Sequence, residues 1–402
     1  MAYIPPHMRH SGSADNSTRP PASLSRRFNQ SLTLDGPDHR ERGRTASTQS
    51  PKEIVYFPGA ISLWWIADGT IDPSRLRFDP FSCGVIERKI GAQPLVLTVG
   101  GEPPPESSTE EPPPWEATAQ RIERHLLDAA TRARSELASE GEEIKTSFSA
   151  KLGKVLFHRK PSSCIDILRA AISGEVADEQ LRKTFYTNVS REYIEKLQHL
   201  DFLQLGFNSE YMKEYYLVKV CDQSRNVIVS CKCTVVEGGS LQLHKIEQNK
   251  LRHLVQDISC LTKDYDVRFM LVNKRISKML NDGEKDAIHK LISNAVLDPD
   301  VKGGVRWPLL KGAVEGFRTV GVWHVKCKVF VSQNIRVKFR YADRFSHEAS
   351  FGEDANEVTL KLTGISKQLR EENLVTSSPL IMIQDAAKLI WNHFLDNSHS
   401  SG

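Results

Sequence analysis

Two hydrophobic periods share this chain. From Ala117 to Ser139 the apolar residues Ile122, Leu126, Ala129, Ala130, Ala133 and Leu137 fall on one face at 3.6-residue spacing, which predicts a helix. The same spacing predicts helices through Leu251, Leu254, Val255, Ile258 and Leu261, and through Ala287, Ile288, Leu291, Ile292, Ala295 and Val296. Ser163 is placed to cap a helix carrying Ile167, Leu168, Ala171 and Ile172, and residues 178–200 suggest more helix. Ser378-Pro379 is a start signal for a last helix with Ile383, Ala386, Ala387, Ile390, Trp391 and Phe394 inward. A two-residue period marks Tyr215–Cys221 and Val227–Val236, joined by the turn Asp222–Asn226, with Leu241–His244 as a third strand. It returns at Val267–Val272, Val322–Val331, Ile335–Tyr341 and Val358–Leu362, and upstream at Ile54–Phe57, Ile61–Ile66, Pro94–Val99 and Gly153–His158. Tight turns between consecutive strands favour antiparallel pairing. The predicted class is therefore α+β, a mainly antiparallel sheet with packed helices. Residues 215–263 and 322–395 each read hairpin, third strand, helix, which suggests two similar units.

Polar stretches divide this pattern. Residues 1–51 are rich in Ser, Pro, Arg, Asn and Gly and hold too little apolar surface to offset ordering entropy, so they read as a disordered N-terminal arm. Residues 52–99 form a small apolar block, too small to fold alone, that should pack on the main domain. GGEPPPESSTEEPPPW, within 100–116, reads as a Pro/acidic linker loop, and 117–396 as the globular α+β region.

Composition adds limits rather than an activity. The formal net charge of +4 names no partner by itself, so a basic patch must be sought locally. The 7 cysteines include no Cys-x-x-Cys, which favours free, mostly buried thiols over a disulfide framework or zinc module. No apolar run is long enough for a membrane span, and no P-loop, dinucleotide fingerprint, nucleophile elbow, zincin or kinase signature occurs, so no cofactor or metal is expected. The expected location is cytoplasmic and/or nuclear. Frequent Arg and Ser up to Ser50 leave organelle import open, against Asp15, Asp35, Asp38, Glu41 and the prolines.

Candidate chemistry is sparse. Cys231 and Cys233 share strand parity with Val227, Val229 and Val235, the pattern of a core face. Asp264/Asp266 and Asp298/Asp300 have turn spacing, and His324 has no partner named by the sequence, so no catalytic residue is assigned. The strongest local signal is the hairpin at 322–341. Its apolar positions are Trp323, Val325, Cys327, Val329 and Val331 on one strand and Ile335, Val337, Phe339 and Tyr341 on the other. If these meet one core, then His324, Lys326, Lys328, Arg336, Lys338 and Arg340 cover the opposite face. Like charges across strands need an anion: RNA or another polyanion, or the protein's own acidic residues at 106–116 and Glu353-Asp354.

Tyr3-Ile4-Pro5-Pro6-His7-Met8-Arg9 joins an aromatic anchor, a polyproline-prone centre and a basic end, and is predicted to bind a protein partner through Tyr3, Pro5, Pro6, Met8 and Arg9. This string resembles the YxPPHxR sequence near the N-terminus of the DEAD-box RNA helicases of translation initiation, where it is linked to the cap-binding factor. No helicase core follows. The opening MAYIPPHMRHS, with EIVYFPGAISLWW, ERKIGAQPLVL and KLGKVLFHRK, is also similar to an uncharacterised plant protein family that begins MAYIPPHKRHS; that resemblance implies no activity. The resulting expectation is a non-enzymatic interaction protein associated with RNA or translation. Its alternatives are an enzyme whose site assembles from distant residues and a structural protein whose basic face is paired internally.

Overall fold

The computed structural model describes residues 54–69, 71–100, 113–137, 144–161, 164–276, 280–308, 312–370 and 378–396. The N-terminal Tyr3–Arg9 motif and most of the acidic 100–116 segment lie outside them. In chain order the first elements are β1 (Ile54–Ile66), β2 (Leu76–Pro80), α1 (Gly84–Ile90), β3 (Leu95–Val99), α2 (Pro114–Leu137) and β4 (Ile144–Phe157). Next come α3 (Cys164–Ser173), β5 (Val176–Ala177), β6 (Lys183–Tyr186), α4 (Arg191–Gln198), β7 (Ser209–Asp222), β8 (Val227–Val235), β9 (Leu241–Ser259) and β10 (Asp266–Ile276). The rest are α5 (Asp282–Ser293), β11 (Val296–Leu297), β12 (Val305–Arg306), β13 (Ala313–Val314), β14 (Phe317–Val331), β15 (Ile335–Ser346), β16 (Phe351–Leu362), α6 (Thr363–Gln368) and α7 (Ser378–His393).

The long strands close on themselves. β4 pairs with β16, β16 with β15, β15 with β14, β14 with β7, β7 with β8, β8 with β9, β9 with β10, and β10 returns to β4, every pair antiparallel. The result is a closed eight-stranded barrel, which removes the exposed edges an open sheet would carry. β8 covers only the first third of β9; β1 runs parallel along the remainder of that edge. The β1 register breaks between Tyr56 and Ile61, where Pro58 cannot donate to the ladder.

The outer surface of the barrel is covered by helices. α2, α4, α6 and α7 bury Phe148, Leu254, Phe269, Phe339, Val358 and Leu360 on one side. α5 buries Val218, Val229, Cys231, Cys233 and Val322 on the other. Local caps fix the helix starts. Asn281 and Glu284 form a reciprocal capping box on α5, and the Ser190 hydroxyl accepts from the Tyr193 N–H on α4 at 3.1 Å.

Two helical expectations fail. Leu251–Ser259 belongs to β9 and only a turn follows it, so the proposed pair of hairpin-strand-helix units does not exist. The segment imitates a helix because both strand faces are apolar: Leu254 and Ile258 pack under the helices while Val255 faces inward beside Met270 and Val272. A register shift near Arg252 further breaks its alternation. Within 178–200, only Arg191–Gln198 is α-helix, and Lys183–Tyr186 is a strand.

Candidate functional site

The site begins with one residue of loop length. Val331 pairs with Arg336, Val329 with Lys338, Cys327 with Arg340, Val325 with Ala342 and Trp323 with Arg344. Directly opposed residues share a sheet face, so Arg336, Lys338 and Arg340 lie with the apolar side of β14, inside the barrel. His324, Lys326 and Lys328 lie outside, opposite Asp343, Tyr341 and Phe339. The expected single basic face is thus two faces. The Ser332–Asn334 turn, closed by Ser332 N–H donating to the Ile335 carbonyl at 2.9 Å, sets a register one residue away from the one that would align the apolar positions. Outside, the charges are met by β7: His324 by Glu214 at 2.7 Å, Lys326 by Glu214 at 3.7 Å and Lys328 by Glu210 at 3.1 Å.

Inside, the same parity recurs around the ring. Lys145 (β4), Lys213 (β7), Lys232 (β8), Lys245 (β9), Lys274 (β10), Arg336 and Lys338 (β15) and Lys361 (β16) converge on one end of the lumen. Glu247 is the carboxylate among them, held by Lys245 at 3.0 Å and Lys274 at 3.4 Å. Among the described residues, Lys145, Lys213, Lys232, Arg336, Lys338 and Lys361 have no ion-pair partner. Lys213 and Lys232 instead sit over the rings of Tyr211 and Tyr215, at 4.7 and 4.2 Å. Burial, then the nearby Lys338, Lys274 and Lys145 charges, push the Lys361 ammonium down to about 7. Burial with Lys213, Lys274 and Arg336 lowers Lys338 as well. Lys145, Lys213 and Arg336 are exposed, so this end is the mouth.

The deeper half is neutralised internally. Burial favours the neutral Glu357 carboxyl, but Lys151, Arg344 and Arg340 overcome it and hold it well below the usual carboxylate range. Arg340 approaches Glu357 at 3.0 Å and Arg344 at 2.7 Å, and Arg344 also stacks on Trp323. Further down, Asp257 is wholly buried between Arg268 and Lys183, which together lower its carboxyl against the opposing effect of burial. Lys183 also reaches Asp178 at 2.9 Å.

A chain segment closes this floor. Lys183 contacts Asp257 on β9, while Thr187 bonds Glu357 at 3.1 Å and Asn188 donates to the Asp354 carbonyl at 3.1 Å, both on β16. Residues 183–188 therefore cross the end of the barrel. Gly153 permits the crossing: a Cβ there would lie 2.2 Å from the Tyr186 carbonyl oxygen. The lumen is a well with a cationic mouth, a paired interior and a plugged floor. Its β7–β14 wall is apolar and aromatic, lined by Tyr211, Tyr215, Trp323, Val325 and Val329.

The remaining sequence candidates have structural roles. Cys231 and Cys233 are buried beneath α5, and all seven cysteines are free thiols. Asp266 is buried and accepts from the Val155 and Cys260 N–H groups, at 2.8 and 3.0 Å. Asp298 binds Arg306 at 2.7 Å. Glu353 does compensate inner charge, though weakly, at 3.8 Å from Arg344. Sequence reasoning missed the lysines of β4, β7, β8, β9, β10 and β16. Their signal was present: lysines of one parity on strands whose other parity is largely apolar, as in Lys213, Tyr215, Leu217 and Lys219 of β7 or Lys145 and Lys151 of β4.

Among the described residues no helix is long and apolar enough to cross a membrane. One family, described as "Domain of unknown function (DUF7903)", matches residues 48–394. Among curated proteins none matches the chain. Two solved structures of the S. pombe Pct1 RNA triphosphatase are similar in part. The one in complex with the Spt5 CTD has 12% identity and a TM-score of 0.40 over 73% of this chain and 99% of that one. The other has 11% identity and a TM-score of 0.39 over 72% and 96%. At that distance the likeness carries no argument about this chain.

Proposed function

The chain belongs to the DUF7903 family, a membership that brings no activity with it, and we propose, from the lumen itself, that the barrel binds a phosphate-bearing polyanion at its mouth. The carrying observation is the cluster of Lys145, Lys213, Lys232, Arg336, Lys338 and Lys361, none of which has an ion-pair partner among the described residues, while the nearby Glu247 is engaged by Lys245 and Lys274. Folding these cations together costs free energy that an anion would recover.

Ligand size follows from the walls. An eight-stranded barrel has an interior just wide enough for side chains or one small ligand. A folded RNA does not enter it; a short oligophosphate, or the phosphorylated end of a larger molecule, does. Binding rather than acid–base catalysis is supported, because Glu357, Glu353 and Asp257 are all held by arginine or lysine. The idea of an internally paired basic face fits Arg340 in the deep half of the lumen and His324, Lys326 and Lys328 outside, and does not fit Arg336 and Lys338 at the mouth.

Inorganic tripolyphosphate tests the proposal by calorimetry at low and moderate salt. Affinity should fall by roughly tenfold or more over that range, since each contact releases counterions. K213E/K338E should weaken binding by roughly tenfold or more, while K326E/K328E, which changes the outside of the same region, should leave it unchanged. Salt-insensitive binding, or equal losses from the two double variants, would sink the proposal.

A further inference from the structure

Lys361 stands apart within the mouth. On β16 it is directly opposite Arg336 of β15 and Ser149 of β4. The charges that face it are Arg336 and Lys338 from β15, Lys145 from β4, Lys274 from β10 and Glu247 from β9. Glu247 is already held by Lys245 and Lys274, and among the described residues Lys361 has no ion-pair partner. It is half-buried, beside the exposed Arg336 and inward of the exposed Lys145.

We infer that Lys361 is a nucleophilic amine that condenses with the carbonyl group of a phosphorylated aldehyde or ketone whose phosphate is held by the lysines around it. The inference rests on the lumen being an anion well and goes further by naming the ligand's second functional group. Three features combine. The cationic ring supplies the phosphate site. The amine lies inside that ring, so a bound phosphate brings a nearby carbonyl within reach and raises its effective concentration. Packing cation against cation stabilises the neutral amine, the form that carries the nucleophilic lone pair. An ordinary lysine, with a pKa of about 10.4, is neutral in fewer than about one molecule in a thousand at neutral pH. Here burial and neighbouring lysines bring Lys361 down to about 7, which raises the share of free amine at neutral pH.

The step balances without a redox partner. The Lys361 nitrogen forms a bond to the carbonyl carbon as the C=O π pair moves to oxygen. A proton passes from nitrogen to that oxygen, giving a carbinolamine. Loss of water then leaves the C=N bond. Amine and carbonyl become imine and water.

Pyridoxal 5′-phosphate, trapped with borohydride and located by peptide mapping, tests this on the full chain. Reduced adduct should concentrate on Lys361, at least roughly tenfold above any exposed lysine, and labelling should slow as pH falls through about 7. Pyridoxal without its phosphate should react far more slowly, and tripolyphosphate should protect. Lys361→Arg, which keeps a cation but removes the amine nucleophile, should remove the adduct while the melting transition is kept. Adduct spread evenly over surface lysines, or unchanged labelling of Lys361→Arg, overturns the inference. If tripolyphosphate still binds in that case, the anion well stands and only the nucleophile falls; if it does not bind either, both fall.

Discussion

Lys361 and Glu357 lie on the same strand and the same face, four residues apart in β16, yet their surroundings push them in opposite directions. Glu357 sees three cations and is stabilised as the anion; Lys361 sees cations and is destabilised as the ammonium. The consequence for stability has a definite sign. Lys361 has a folded pKa of about 7, below the unfolded value of about 10.4. Between those two values the unfolded chain binds more protons, so stability rises with pH across that window. Below about 7 the repulsion is fully present. Lys361→Met should therefore raise the melting temperature at pH 6 by roughly 2–4 °C, and the gain should shrink as pH approaches 10. A gain that grows with pH would contradict the placement of Lys361 among cations. Glu357→Gln should do the reverse and cost about 3 kcal/mol in denaturant titrations, because Arg340 and Arg344 would be left partly buried without their anion.

At the scale of elements, the hairpin shows where reading from sequence succeeds and where it stops. The alternation placed both strands, β14 and β15, and named Arg336, Lys338 and Arg340 as charges needing an anion. It could not choose between registers one residue apart, because each strand carries apolar residues on both faces: β15 sets Val337 and Phe339 under the helices and Ala342 in the lumen. Alternation reports a buried face and an open one; it cannot tell a solvent face from the inside of a polar lumen. β9 failed for a related reason. Its apolar residues serve the helices outside and β10 inside, and together they imitate a helical stripe. Gly153 is another case, an ordinary glycine in the sequence that marks the crossing of the floor by residues 183–188. Gly153→Ala places a methyl group against the Tyr186 carbonyl, which belongs to the backbone and has little freedom to yield. We expect a loss of about 3 kcal/mol, measured by chemical unfolding; a neutral result would mean that the segment does not close the barrel there.

At the scale of the molecule, the α+β class and mainly antiparallel pairing were legible, and the ring was not. Each hairpin is local and leaves turn signals, but closure depends on β4 meeting both β10 and β16, and no turn announces such contacts. The mouth was hidden with it, since its lysines come from seven strands and converge only when the ring is complete. What does show in the sequence is a repeated habit: strands with one apolar parity and lysines scattered through the other. On one strand that is a solvated face. On eight strands closed into a circle it is a cationic well.

Ring closure also sets the order of events during folding. Lys151 meets Thr359 across the seam between β4 and β16, so no barrel exists until nearly all of the chain is available. Pairings so distant in sequence are slow to form. The last step must also bring the mouth lysines together before any ligand is there to separate them. The barrier to refolding therefore carries an electrostatic component that counter-ions lower. Stopped-flow refolding should accelerate with added salt, and more strongly with micromolar tripolyphosphate, while the affinity of the finished barrel for that ligand falls with the same salt. If refolding is indifferent to both, the lysines are not yet gathered in the transition state and their compression comes later than closure.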